Sequence, residues 1–596
     1  MGEIAAAAVA SGYRMRFLVA LVPDPTESQI PYLFDSALDA IQKGFAEEGY
    51  LFDRYWLPWM GEAGKTYRLY RAAPGILLFR RDDGQGPRLT VVFLVGESPK
   101  AGIHKRAFRQ AMEITAGLRD GAAEPRIDIL GPSFSGSVDS LLMALEDWRR
   151  SQADDSVPFR IASGSATAEG IKTRFEKLEK RLQAQGSAGE ISFCRTVVPD
   201  HLLQKESFRF LRDEMKWNVD RMALLAEYDT GYGQASPGRP QIVSVRFSSG
   251  ISDLRNAWKS RERDQRPGDR DVTLGETVLP TGREALGLSL QDRDKALDTI
   301  PRFSPLSTLA RDQELAVLLE TISRDSIRYV GVLATDLKDR LFVMERVRRF
   351  APDTVLFTFD NDILLGHVDY SGVMDGVLVI SSSPLFTEGA SWLPRSHWGE
   401  GRERRQFQGE TQQGMFEAVR YLLDGQVRST PQVWVSVVGN GSLWPMARLP
   451  LKEPDEKAVF CQQPDRSLQQ AAPPPKLSEQ YGGLAGKANL QVTFFAVALC
   501  LISWGLRRAG RFGMSGASDG TVVWHPVSRP LLTMGAAILA LAAAVLLVVA
   551  AIPEWARYLS DDWGPSSWGP VRILFLLALA GVYVYLCLQM MGSATQ

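Results

Sequence analysis

Ile127-Asp128-Ile129-Leu130-Gly131-Pro132-Ser133-Phe134-Ser135-Gly136-Ser137 is a short strand-like run that breaks at glycine and proline into small hydroxyl residues. Apolar residues at helical spacing follow over 141–149. A strand that delivers a polar loop to a helix is the arrangement by which open α/β sheets hold ligands, outside the carboxyl ends of their strands. The pattern recurs at once. The run 159–162 ends in Ser163-Gly164-Ser165-Ala166-Thr167, and a helix is predicted over 172–185.

The same alternation extends both ways. Upstream, 16–22 reads as a strand, and 32–48 as a helix with Leu33, Ala37, Ile41 and Phe45 on one face, closed by Gly49. Strands over 75–79 and 89–95 and a helix over 105–118 come next. Downstream, a helix over 203–216 precedes the strand Met222–Glu227, which delivers Asp229-Thr230-Gly231-Tyr232-Gly233. Strands are predicted at 242–247, 329–334, Val355–Phe359, 376–381 and 432–438, and helices at 313–324, Leu337–Phe350 and 413–423. Residues 259–305, rich in Arg, Asp, Gly and Pro, read as an insertion. The class is α/β, with a mostly parallel sheet in each βαβ lobe.

Four motifs in order carry a family likeness: Ile129-Leu130-Gly131-Pro132 with Ser135; Ala162-Ser163-Gly164-Ser165-Ala166-Thr167; Phe193-Cys194-Arg195-Thr196 with Asp200; and Ala223-Leu224-Leu225 with Asp229, Tyr232 and Gly233. Together they resemble the first half of type I periplasmic binding proteins, with the branched-chain amino-acid receptors the nearest comparison. The likeness implies two Rossmann-like lobes over 14–451 and a ligand in the cleft between them. It further implies that Ser135, Ser165 and Thr167 contact a polar ligand group, that Tyr232 lines the cleft, and that Asp336, after the strand 329–334, is a candidate for an amine. Elementary chemistry allows the same roles, since hydroxyls and free N–H groups at a helix start hold an anion. Capping alone also explains Ser135 and Thr167.

Composition removes several classes. A net charge of −1 over 596 residues gives no drive toward nucleic acid. The histidines (His104, His201, His367, His397, His525) form no cluster with cysteine, so no metal is expected, and no cofactor motif is complete. Gly61-Glu62-Ala63-Gly64-Lys65-Thr66 has Trp59 where a phosphate loop needs its first glycine. Asp360-Asn361-Asp362 lacks the spacing of a calcium loop and reads as a solvated loop or a second-lobe cleft contact. Ser135 lacks the spacing of a hydrolase elbow. Arg395, Arg402, Arg404 and Arg405 read as a solvated basic face. Cys500 and Cys587 lie in apolar runs, leaving Cys194 and Cys461 far apart in the soluble part, so no disulfide is expected.

A linker over 452–487, with Pro473-Pro474-Pro475, leads to three apolar stretches, 488–506, 530–553 and 571–591, each long enough to span a bilayer core as a helix. Arg507, Arg508, Arg511 and Arg529 favour a cytoplasmic loop between the first two, which would place the large region outside. The N-terminus shows no apolar core of signal-peptide length, which favours an inner-membrane protein with its receptor region in the cytoplasm. The sequence thus predicts a membrane-anchored, non-enzymatic sensor of a small polar ligand, with a homo-oligomer or a membrane protein as partner. The alternative is a structural component of a membrane assembly.

Overall fold

The computed structural model describes residues 13–25, 31–60, 72–83, 86–117, 126–151, 157–186, 189–228, 242–248, 250–265, 284–292, 304–385, 406–425, 431–449 and 460–461, with a few shorter pieces. The chain divides into one unit, Met1–Gly483, and a second, Leu484–Gln596. The three predicted membrane stretches, Tyr232, the loop 61–66 and the basic segment around Arg395 lie outside the described residues. Among the described residues no helix is long and apolar enough to cross a membrane.

The first unit carries two large sheets. In lobe 1, β1 (Arg14–Pro23) lies between β4 (Gly86–Ser98) and β6 (Ile127–Leu130), all parallel, and β7 (Phe159–Ser163) and β8 (Ile191–Arg195) continue the parallel run. Beyond β4, the antiparallel β3 (Gly75–Asp83) and β2 (Leu51–Trp56) form the other edge, and β5 (Gly102–Ile103) pairs with β4. Leu18 to Val22 are buried because helices cover both faces of this strand, which is why it reads as an unbroken apolar run. One face packs on α2 (Lys105–Gly117), α3 (Val138–Ser151) and α4 (Ile171–Ala184), the other on α1 (Pro31–Glu47).

Lobe 2 has the order β10-β9-β13-β14-β15-β16-β17, from β9 (Met222–Glu227), β10 (Val243–Phe247), β13 (Tyr329–Leu333), β14 (Val355–Phe359), β15 (Leu378–Ser381), β16 (Val433–Gly439) and β17 (Ser442–Leu449). The first five are parallel, and β11 (Thr277–Val278) and β12 (Glu284–Ala285) pair separately as a short antiparallel ribbon. β16 and β17 form an antiparallel hairpin turned by Asn440 and Gly441, both at positive φ, as such a two-residue turn demands. α5 (Asp200–Asp213) covers one face, and α6 (Ile251–Gln265), α7 (Pro305–Arg324) and α8 (Leu337–Phe350) cover the other.

α9 (Glu410–Asp424) follows a lobe 2 strand yet is fastened to lobe 1. Phe416, Val419 and Leu422 join the α1 core, and Arg420 pairs with Glu48 at 2.9 Å. At its C-terminal end Arg16 and Arg160, both paired with buried Asp128, donate to the carbonyls of Leu422 and Leu423, where a helix dipole favours cations. A Cβ at Gly414 would overlap the carbonyl of Gly164, so helix and β7 loop meet backbone to backbone.

Two expectations need correcting. Cys194 and Cys461 form a disulfide across a separation of 267 residues. Distance along the chain misleads here because, after β17, the chain returns to lay Phe460 beside Arg195 at the edge of β8, with the Cys461 N–H donating to the Arg195 carbonyl. The segment 259–305 is also less of an insertion than its composition implies. α6 runs on to Gln265, and Leu290 enters the lobe 2 core while Asp292 pairs with the wholly buried Arg255.

Candidate functional site

Parallel strands deliver their following loops at one end, so each lobe presents a set of loops at the carboxyl ends of its sheet. A hydrogen bond from the Tyr32 hydroxyl, at the start of α1 in lobe 1, to Asp362 Oδ1, after β14 in lobe 2, spans the two sets at 3.4 Å. The mouth between the lobes therefore has a lobe 1 side, a lobe 2 side and the connecting segments.

On the lobe 1 side the hydroxyl loops after β6 and β7 are bound to each other. Ser135 Oγ accepts the Ala168 N–H at 3.0 Å, Ser165 Oγ donates to the Ser133 carbonyl at 2.9 Å, and Ser163 Oγ donates to the Pro132 carbonyl at 2.7 Å. Beneath them lies Glu97, at the end of β4 and fully buried. It accepts the Ser133 N–H at 2.5 Å, with the Phe134 N–H beside it, while its Oε2 has no hydrogen-bond partner and the Ser133 and Ser137 hydroxyls donate to the Leu21 and Ser98 carbonyls. Burial pushes its carboxyl up to about 7 against the pull of these neighbours.

The connecting segments and lobe 2 bring carboxylates. Asp200 opens α5, its N–H bonded to the Thr167 carbonyl and its carboxylate to the Thr167 side chain. Glu410 opens α9 and accepts the Ser382 N–H at 3.0 Å. Asp360 and Asp362 follow β14, with Asn361 between them anchored to Ser381 and Ser383. Asp360 has φ +67°, a left-handed conformation that a non-glycine residue adopts only when held. It is held by its N–H on the Ile380 carbonyl (2.9 Å) and by Arg340, which donates to the Asp360 carbonyl (2.7 Å) and to its carboxylate (3.3 Å). Asp360 keeps 39% of its side chain open to solvent, whereas Asp200 and Glu410 are each 6% exposed.

These groups sense one another. Burial lifts Glu410 to about 8, helped by the charges of Asp360 and Asp200. It lifts Asp362 to about 7, with Asp360 adding to the rise, and Asp200 to about 6 against the opposing pull of Thr167 and Arg195. Arg195, 1% exposed, is lowered to about 10 by burial despite Asp200. Asp200 Oδ2, Glu410 Oε2 and Asn361 Oδ1 are buried with no hydrogen-bond partner. Buried acceptors are ordinarily satisfied, so these three mark places where a donor is wanted.

Of the residues expected to bind ligand, Ser135, Ser165 and Thr167 come together on the lobe 1 side. Tyr232 lies outside the described residues. Asp336 caps α8 by accepting the Lys338 N–H and pairs at 3.0 Å with Arg255, which also meets Asp292 and Asp339. Asp360 and Asp362 belong to the Asp360-Asn361-Asp362 triplet, and Asp200 follows Phe193-Cys194-Arg195-Thr196 in the third of the four ordered motifs. Glu410 gave no signal, because the helix it opens was expected to start three residues later.

Comparison with known proteins adds the following. No family model matches the sequence, and no curated protein matches it. Solved structures do superpose partially. A solute-binding protein of an ABC transporter from R. palustris, in complex with benzoate, covers 73% of this chain and 96% of its own at 8% identity and a TM-score of 0.35. A branched-chain amino-acid ABC transporter periplasmic ligand-binding protein from Burkholderia xenovorans covers 74% and 96% at 12% identity and a TM-score of 0.36. A leucine-, isoleucine-, valine-, threonine- and alanine-binding protein from Brucella ovis, in a closed conformation, covers 73% and 96% at 11% identity and a TM-score of 0.36.

Proposed function

We propose that this chain is a non-catalytic, membrane-anchored sensor whose two lobes close on a small molecule bearing a cationic nitrogen. The observation that carries the reading is the under-neutralised set of carboxyls at the mouth, Asp200, Asp360, Asp362 and Glu410, with buried acceptors lacking donors. A carboxyl that burial holds protonated is a counter-ion position waiting for a cation, and an ammonium or guanidinium group supplies both charge and donors. Hinge closure around such a ligand converts binding into geometry, provided that the closed state binds it better.

The apolar stretches 488–506, 530–553 and 571–591 serve as the anchor in this reading. Disulfides persist in oxidising compartments, and the arginines between the first two stretches favour the cytoplasm. Both favour the oxidising side of the membrane for the two-lobed unit, against the orientation inferred from its N-terminus. Cys461 fastens the segment leading to the anchor onto β8, one residue from Arg195, which feels the charge of Asp200. Movement of Asp200 on closure is thereby passed to the segment that enters the anchor.

Thermal-shift screening of the full chain in detergent, with amines, amino acids, sugars and nucleotides, tests the binding claim. Amines are expected to raise the melting temperature by several degrees at millimolar concentration. A screen in which no amine stabilises the protein would sink it, and would favour a role as an interaction module. A reporter fused before Lys487 checks sidedness: activity on the cytoplasmic side rejects the orientation proposed.

A further inference from the structure

We infer that two copies of this chain join edge to edge through β2, in an antiparallel register that sets Asp53 of each copy against Arg54 of the other. None of the residues at the mouth takes part, so the contact is independent of ligand binding.

β2 ends the 8-stranded sheet of lobe 1, and among the described residues no strand pairs with its outer edge. An open edge of this kind is a template for another strand. It carries Leu51 (54% exposed), Phe52 (43%), Tyr55 (55%) and Trp56 (52%), with Asp53 and Arg54 between the two apolar pairs.

The order of these residues is self-complementary. When a second copy runs antiparallel, Leu51 meets Trp56, Phe52 meets Tyr55 and Asp53 meets Arg54, and the same three pairs recur beyond the two-fold axis. That axis is normal to the sheet and leaves each side chain on its own face, so paired residues must share a face. A regular strand forbids the register, because neighbours such as 53 and 54 point to opposite faces. The bulge in β2 permits it. The register against β3 shifts between Phe52 and Arg54, which sets Phe52 and Tyr55 opposite Phe79 and Leu77, on the α1 face. Arg54 and Trp56 lie opposite Leu78 and Ile76, on the other face, and Leu51 opposite Arg80 joins them by alternation along β3. Two contacts agree with this assignment: the Phe52 and Tyr55 rings stack at 6.3 Å, and the Asp53 carboxylate reaches Arg54 Nε at 2.9 Å. All three pairs therefore match in face as well as in chemistry.

Bulges and charges ordinarily blunt an edge, and against a regular strand this edge is blunt. Against a copy of itself, bulge meets bulge, and each Arg54, 69% of its side chain exposed, stands between its own Asp53 and Asp53 of the second copy. Registers centred on residue 53 or residue 54 set like charges face to face instead. A bilayer surface would accept the aromatic rings but not the aspartate among them. A six-residue contact is small beside the roughly 1,200–2,000 Å² of stable complexes, so the association is weak and reversible.

The test is sedimentation velocity of the full chain in detergent over a concentration series, with thermal melts of the same samples. The unaltered chain should pass from monomer to dimer as concentration rises. Asp53→Arg and Arg54→Asp should each weaken association at least tenfold, because each sets like charges opposite one another. The double reversal D53R/R54D restores complementarity and should bring association back to within threefold of the unaltered chain. All four melting temperatures should agree within about two degrees, since an exposed ion pair contributes little to the fold. A chain that stays monomeric overturns the inference, as does a dimer indifferent to both single reversals, which would lie on another face. Loss of the dimer in the single variants without recovery in the double overturns the register and the inference with it.

Discussion

The two sides of the mouth are built on opposite rules. On the lobe 1 side, hydroxyls bond to neighbouring carbonyls and amides and knit the loops after β6 and β7 together above Glu97, whose buried carboxyl keeps one open oxygen. On the lobe 2 and connecting side, carboxyls crowd with too few cations and with acceptors left open. Closed networks rigidify, whereas half-satisfied ones store unfavourable energy that a ligand can relieve. The hydroxyl-rich loops hold one another, and in the function proposed above the acidic positions are where a ligand gains most.

The sharpest way to break this contrast is at the contact that joins the sides. Gly414→Ala places a methyl against the Gly164 carbonyl and Val197, and should destabilise the fold by roughly 3 kcal/mol or more, as overpacking against rigid backbone does. Denaturant titration reads this, and an unchanged midpoint would show that α9 shifts freely. Glu97→Ala leaves the buried Ser133 N–H and the neighbouring Phe134 N–H without their acceptor, and should cost about 2–3 kcal/mol by the same measurement.

A pH scan separates the sides further. Glu410, Asp362 and Asp200 are raised in the folded state, to about 8, 7 and 6, so the fold holds protons that the unfolded chain has already released. The stability they contribute is complete below pH 4 and is lost as pH rises through about 6 to 8. The ligand-free protein should therefore melt several degrees lower at pH 8.5 than at pH 5, with Glu97 adding the same sign. Glu410→Gln should flatten the upper part of that decline, and a decline that keeps its full size in the variant would remove Glu410 from the account. The smallest effect belongs to Ser135→Ala, which removes one acceptor from a partly exposed amide. It should cost about 1 kcal/mol of stability and change amine affinity less than threefold.

What the sequence made legible follows from periodicity. Strands buried on both faces, such as Met222–Glu227 and Val355–Phe359, have the boundaries their apolar runs predict, because burial leaves no other reading. β2 was missed since it is an edge strand exposed on both faces, and no alternation survives there. β17 was missed because Pro445 interrupts it, although Asn440-Gly441 is a hairpin signal that could have found it. In the site, the serine loops stood out as polar breaks after apolar strands, while their internal bonding depends on which loops become neighbours in space. Asp360 and Asp362 were visible as a triplet, but their pairing with Asp200 and Glu410 arises only from the folding of distant segments together. The disulfide was hidden for the same reason.

That disulfide also has a topological meaning. Every strand of lobe 2, from Met222 to Leu449, lies between Cys194 and Cys461, so the bond closes a covalent ring that contains the whole lobe. Lobe 1 and the segment beyond Cys461 are then two tails leaving adjacent points on one loop. A single backbone cut between residues 195 and 460 leaves one covalent molecule, heavier only by the water of hydrolysis, until thiol is added, whereas a cut outside releases a fragment at once. The ring keeps a nicked two-lobed unit joined to everything that follows Cys461.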